Sequence, residues 1–172
     1  TTLVTARLLL ERSATAAVDA PLVLQGERLE LVAVELDGQP LAATRYRVTG
    51  EELRIERVPP RFELRIVTRL RPQDNTELSG LYKSSGNFCT QCEAEGFRRI
   101  TYFLDRPDVM AIYSTTLHAE RARYPVLLSN GNLVATGESE DGRHWARWED
   151  PFPKPSYLFA LVAGTLAWIE DE

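Results

Sequence analysis

Apolar residues return at every second position along much of this chain. The alternation is cleanest where Phe62, Leu64, Ile66 and Leu70 are separated by Glu63, Arg65, Val67 and Arg69. A period of two puts one face of a strand on a core and the other in water. Residues 2–10 open with a β-branched and apolar run. Val32, Val34 and Leu36 share a face opposite Ala33 and Glu35, and Asp37-Gly38 follows as a hairpin turn. Leu53 and Ile55 share a face, as do Ala111, Tyr113, Thr115, Leu117 and Ala119. "YPVLLSNGNLVATGE" (124–138) predicts two strands joined in a hairpin at Asn130-Gly131. Residues 143–149, with Trp145 and Trp148, predict another strand. "PFPKP" (151–155) has three prolines without donors and predicts a rigid connector outside any sheet. Residues 157–163 form a final buried run, with 165–169 pairing to it. A helical turn fits only within 91–100. These elements predict one all-β domain over residues 1–172, built as a two-sheet sandwich or flattened barrel.

Composition narrows the function classes. The 172 residues suffice for a real hydrophobic core, with 44% apolar and 26% charged positions. The net charge is -5, from 20 Lys and Arg against 25 Asp and Glu, so no basic stripe points to nucleic acid. No apolar run approaches bilayer length, so no membrane partner is expected. Two cysteines cannot make a disulfide framework, which favours a reducing, cytoplasmic setting.

The densest chemistry lies in "NFCTQCEAEGFRRITYFLDRPDV" (87–109). Cys89 and Cys92 form a C-x-x-C pair, yet a structural zinc needs four ligands. His118 and His144 lie at no ligand spacing from each other, and no βαβ pattern supports a redox site. The plainer reading is two small buried or half-buried thiols. Glu93 and Glu95 are either a solvated acidic face or anions awaiting a cation. A carboxylate beside the amide of Gln91 can hold an ammonium group, one by charge and the other through its carbonyl oxygen. Asp105 and Asp108 are expected to cap a turn and pair with arginines such as Arg98 or Arg99.

Three blocks then carry a resemblance. "LYKSSGNFCTQCEAEGFRRITYFLDRPDVMAIYSTTLHAERARYPVLLSNGNLVATGE" (81–138), "GRHWARWEDPFPKPSYLFALVAG" (142–164) and, more weakly, "PLVLQGERLELVAVELDGQPL" (21–41) resemble the amino-terminal domain of the bacterial aminopeptidase N family, zinc metallopeptidases of the M1 gluzincin class. The resemblance implies a saddle-like β-domain that packs on a thermolysin-like catalytic domain. It implies that a Q-x-E loop, here Gln91-Cys92-Glu93, lines the active site. Glu93 would help hold the free α-amino group of a peptide substrate, and Gln91 would line the first side-chain pocket. The parent enzyme would release amino-terminal residues from peptides by zinc-assisted hydrolysis.

The chain departs from the whole family pattern in lacking G-x-M-E-N and H-E-x-x-H. No catalytic residue, metal ligand or cofactor is therefore expected in it, and Zn2+ would belong to a catalytic domain beyond Glu172. The domain's start is expected to be truncated by a strand, and the chain alone is expected to be inactive. The rival from another class is a free-standing β-sandwich that binds a peptide or protein. A metal or redox role for the C-x-x-C is the third reading.

Overall fold

The segments with period-two alternation are all strands, and the helical elements among the described residues are four single 3-10 turns. The protein is represented by a computed structural model that describes residues 1–167 and Ile169. It has two compact units, Thr1–Arg71 with Glu95–Asp105, and Pro72–Ala94 with Arg106–Glu172. The all-β class read from the sequence is the class of the protein, and its strands form antiparallel sheets, two in each unit.

The first unit holds β1 (Thr2–Glu11), β2 (Leu22–Gln25), β3 (Glu30–Leu36), β4 (Gln39–Pro40), β5 (Tyr46–Val48), β6 (Glu52–Ile55) and β7 (Arg61–Leu70). One sheet has the order β1-β7-β3-β4 and the other β2-β6-β5. β7 is central, with β1 paired along it from Thr2↔Leu70 to Glu11↔Arg61. Its inward residues Phe62, Leu64 and Ile66 join Leu24, Val34, Leu53, Ile55 and Tyr102 in one cluster. Each such aliphatic side chain contributes roughly 1.5–3 kcal/mol on burial. On the outer face, the register sets Glu35 beside Arg65 and Glu30 beside Arg69, and both pairs form ion pairs. Val67 lies on that same face but is buried. Asp37 and Gly38 both have positive φ, 48° and 76°, and close the β3–β4 hairpin as the sequence predicts.

The predicted face of β3 needs a correction. A bulge between Leu31 and Ala33 shifts the register, so Val32 turns to solvent while Leu31 packs with Val34 and Leu36 on the core. One extra residue in a strand reverses the parity of everything before it.

The segment Glu95–Asp105 completes this unit. Gln25 and Phe103 exchange backbone hydrogen bonds of 2.8 and 3.0 Å, and the Thr68 hydroxyl donates to the Ile100 carbonyl at 3.0 Å. The predicted helical turn is the 3-10 turn Phe97–Arg99. Asp105, almost fully buried, accepts from the Arg98 backbone N–H at 3.1 Å and from Arg98 Nε at 3.0 Å. Its own N–H donates to Gln25 Oε1 at 3.1 Å. Tyr102 is thereby carried into the core, where it faces Gly26: a Cβ there would sit 2.1 Å from the Tyr102 ring.

The second unit holds β8 (Gly80–Ser84), β9 (Asn87–Gln91), β10 (Ala111–Glu120), β11 (Val126–Ser129), β12 (Asn132–Glu138), β13 (Arg143–Lys154) and β14 (Leu161–Gly164). Its sheets run β11-β14-β9-β8 and β10-β13-β12. Both contribute to a cluster of Tyr124, Leu127, Ala146 and Ala163, packed by Phe88, Leu117 and Trp148.

Two expectations fail here for local reasons. Asn130-Gly131 does not close a hairpin, because β11 pairs with β14 while β12 pairs with β13. The two residues make a corner between sheets. Asn130 accepts from the Ala160 N–H at 2.6 Å and donates to the Leu158 carbonyl at 3.1 Å. Gly131, at φ 87°, lies so close to the Glu149 carbonyl that a Cβ would stand 2.2 Å from it. The "PFPKP" segment is not a connector either, since β13 continues through Pro151 and Pro153 to Lys154. The pairing with β12 has ended at Glu149, and the register against β10 jumps from Tyr113↔Asp150 to Ala111↔Lys154. The prolines thus sit in a one-sided, bulged stretch where a missing donor costs nothing. Residues 165–167 lie outside any strand, and Trp168 of the predicted 165–169 pairing lies outside the described residues.

Gly26→Ala should destabilise the chain by about 1–3 kcal/mol in urea unfolding, because the methyl displaces a buried ring. Burial also raises the Tyr102 phenol above its usual 10.0. Above about pH 10 the unfolded chain therefore loses this proton while the folded chain keeps it, and stability should fall as pH rises. Tyr102→Phe should flatten that fall in unfolding titrations between pH 8 and 11.

Candidate functional site

The candidate loop is launched by a β-hairpin. Ser85 and Gly86 have φ of 49° and 89° and join β8 to β9 through a two-residue turn, with Ser84 opposite Asn87. β9 ends at Gln91, opposite Gly80. Cys92 then turns inward, 3% exposed, while Gln91, Glu93 and Ala94 face solvent. The Glu93–Ala94 peptide is cis. Gln91 Nε2 donates to the Glu93 carbonyl at 3.3 Å, so the amide braces the backbone that carries the carboxylate.

The two glutamates, equivalent in the sequence, differ in the structure. Glu95 begins the segment that belongs to the first unit, and the 3-10 turn beside it brings Arg98 Nη2 to 3.2 Å from Glu95 Oε1. The same guanidinium holds Asp105, so the predicted arginine–aspartate pairing is present. Arg99 holds Glu27 with two contacts, 2.7 and 3.2 Å, and Asp108 pairs with Arg106 on the surface. Glu93 has no ion pair among the described residues. A charged, solvent-facing carboxylate without a protein cation is free to meet one from a ligand.

The cysteines and histidines are placed otherwise. Neither Cys89 nor Cys92 forms a disulfide. Cys89 is half-buried opposite Tyr82, and the hydrogen bond between them, with burial, raises the Tyr82 phenol above its usual 10.0. His144 is buried, its Nε2 donating to the Tyr124 carbonyl at 2.8 Å. His118 lies over Trp145, with ring centroids 6.4 Å apart. Among the described residues no group of three or more His, Cys, Asp or Glu could hold a metal. The described residues therefore do not fit a zinc centre. No helix among the described residues is long and apolar enough to cross a membrane.

A shallow concavity of about 670 Å³ lies in the first unit, walled by Gln25, Glu27, Glu51, Glu52 and Arg98. It includes neither Gln91 nor Glu93. Glu27 and Arg98 in its wall are already engaged by Arg99 and Asp105.

Similarity to known proteins identifies the family. Residues 13–158 match the family profile of the Peptidase M1 N-terminal domain. Aminopeptidase N of Caulobacter vibrioides is 56% identical over 158 residues, 92% of this chain and 18% of that protein. Aminopeptidase N of Escherichia coli is 54% identical over 155 residues, 90% of this chain and 18% of that protein. The chain thus spans about a fifth of the length of these curated relatives. Among solved structures, Legionella pneumophila aminopeptidase A in complex with aspartic acid superposes with a TM-score of 0.91 at 40% identity, over 96% of this chain and 20% of that one. The Deinococcus radiodurans M1 zinc metallopeptidase bound to a Tyr-Ser-Ala substrate shares the fold, with a TM-score of 0.78 at 17% identity, over 94% of this chain and 38% of that one. The chain belongs to the M1 peptidase N-terminal domain family, as the amino-terminal domain of an aminopeptidase N.

Proposed function

We propose that the two units serve together as one amino-terminal domain of a cytoplasmic zinc aminopeptidase, and that Gln91 and Glu93 form part of its substrate site. The observation that carries this reading is the state of Glu93, exposed and without an ion pair among the described residues while Glu95 is taken by Arg98. The chain crosses between the units at residues 71–72, 94–95 and 105–106, and one family profile spans both, which supports counting them as one domain. Two cysteines without a disulfide between them support a reducing compartment. The aspartic acid and the Tyr-Ser-Ala peptide held by the Legionella and Deinococcus relatives support a ligand with a free amino group.

The chemistry follows from these two side chains. Glu93 binds the substrate's α-ammonium by charge and hydrogen bond. A blocked amino end has no charge to offer, so the site selects a free terminus. Anchoring that end fixes the first peptide bond at one distance from Glu93, which makes the cleavage exopeptidic. Gln91, braced against the Glu93 carbonyl, meets the first side chain with its amide. Zn2+ in the catalytic domain outside this chain would polarise the attacking water. The domain's partners are that catalytic domain, in the same polypeptide, and the peptide.

In the full-length enzyme, Glu93→Ala should lower kcat/KM for aminoacyl-anilides roughly tenfold to hundredfold, the worth of a charge-assisted contact, without removing zinc. Glu95→Ala should do far less, because Arg98 already neutralises that carboxylate. Gln91→Ala should change the ranking among first residues more than the overall rate. Equal effects of the two glutamate variants, or none, would exclude the loop from the site.

Replacing Cys89 and Cys92 by Ser or Ala should cost about 1–3 kcal/mol of stability, as at ordinary packed positions, and leave turnover intact. Chemical unfolding and steady-state kinetics on the same samples check this. Lost turnover in a folded variant would contradict a packing role for the thiols.

A further inference from the structure

We infer that Thr90 is a positioning residue, whose hydroxyl clips the end of β9 to β14 so that Gln91 and Glu93 leave the sheet at a fixed place; this rests on the substrate-binding reading above. β8 pairs with β9 as far as Gln91, but on the β14 side the sheet leaves that end open. β9 pairs with β14 only at Phe88 and Cys89, opposite Ala163 and Val162, and the ladder stops before Thr90. There the side chain takes over. Thr90 Oγ1 accepts from the Leu161 N–H at 3.0 Å and makes a longer contact of 3.5 Å with the Leu161 carbonyl. A side chain thus replaces the next rung of the ladder, one residue before Gln91. At the far end of β9, Asn87 Oδ1 accepts from the Thr165 N–H at 3.1 Å, against a Gly164 with no room for a Cβ. Both ends of the short pairing are clipped by side chains, but only the Thr90 clip adjoins the loop. Inward burial of Cys92 and the Gln91–Glu93 brace then carry the position onward to the carboxylate.

The chemistry at stake is distance. A charge-assisted contact to an ammonium works within a narrow range, and a displacement of about 1 Å can cost up to a hundredfold in rate. Thr90 touches no substrate; its contribution passes through Glu93. That dependence separates positioning from general stability.

The test uses the full-length enzyme and an aminoacyl-anilide. Thr90→Val, which keeps the shape and removes the hydroxyl, should lower kcat/KM about tenfold, mostly through KM. Thr90→Ser should restore it. In a Glu93→Ala background, Thr90→Val should have no further effect, since the group it positions is gone. Asn87→Ala, which loosens the other end of the same pairing, should lower the melting temperature while leaving kcat/KM within twofold. If Thr90→Val does not fold, Thr90→Ala against Thr90→Ser gives the same comparison. An unchanged kcat/KM in Thr90→Val, with Glu93→Ala impaired, would overturn the positioning role and leave the substrate-binding reading intact. Full additivity of the two substitutions, or an equal loss in Asn87→Ala, would also overturn it. No loss in Glu93→Ala itself would remove the substrate-binding reading, and the inference with it.

Discussion

The contact between Arg98 and the buried carboxylate of Asp105 organises the segment that follows the candidate loop. A carboxylate with only 2% of its surface exposed is costly unless it is paired and hydrogen-bonded. Asp105 meets that demand with a guanidinium and the backbone N–H of the same arginine, while its own N–H reaches Gln25. The knot closes residues 98–105 into a loop held on the first unit. Inside it, Tyr102 enters the core against Gly26, and Phe103 exchanges backbone hydrogen bonds with Gln25. The same guanidinium then takes Glu95. One arginine thus settles a folding problem and decides which of two neighbouring glutamates stays available.

That division was half visible in the amino-acid sequence. The spacing Glu95 to Arg98 is three residues, and a helical turn was expected there; a 3-10 turn stacks such positions on one another. The signal for neutralising Glu95 was therefore present, although the resemblance alone singled out Glu93. Thr90 had no such signal. Its partner Leu161 lies 71 residues away, and no local pattern announces a contact of that range.

The fold shows the same boundary between local and distant information. Alternation in β7 and the Asp37-Gly38 turn predicted their elements because both are local, a buried face and a pair of positive φ values. Asn130-Gly131 carried an equally strong turn signal, and the backbone does turn there. What the dipeptide could not state is that Leu158 and Ala160 capture the asparagine, sending β11 and β12 to different sheets. The prolines of β13 misled for a related reason: their missing donors matter only where a neighbour strand waits, and β12 ends first. At Val32 a single bulge overrode a correct alternation. β2 is a short run, Leu22–Gln25, whose Leu24 is buried by distant residues of β3, β6 and β7 and by Tyr102 rather than announced by any pattern of its own.

The proposed role of this domain turns on Glu93 and its recognition of a free amino terminus. The most direct measurement is a crystal structure of the full-length enzyme with an amino acid bound at its active site. A Glu93 carboxylate oxygen is expected within roughly 2.6–3.2 Å of the ligand's ammonium nitrogen, with the Glu95 carboxylate still on Arg98. An ammonium held wholly by groups outside this chain, with Glu93 in solvent, would contradict it.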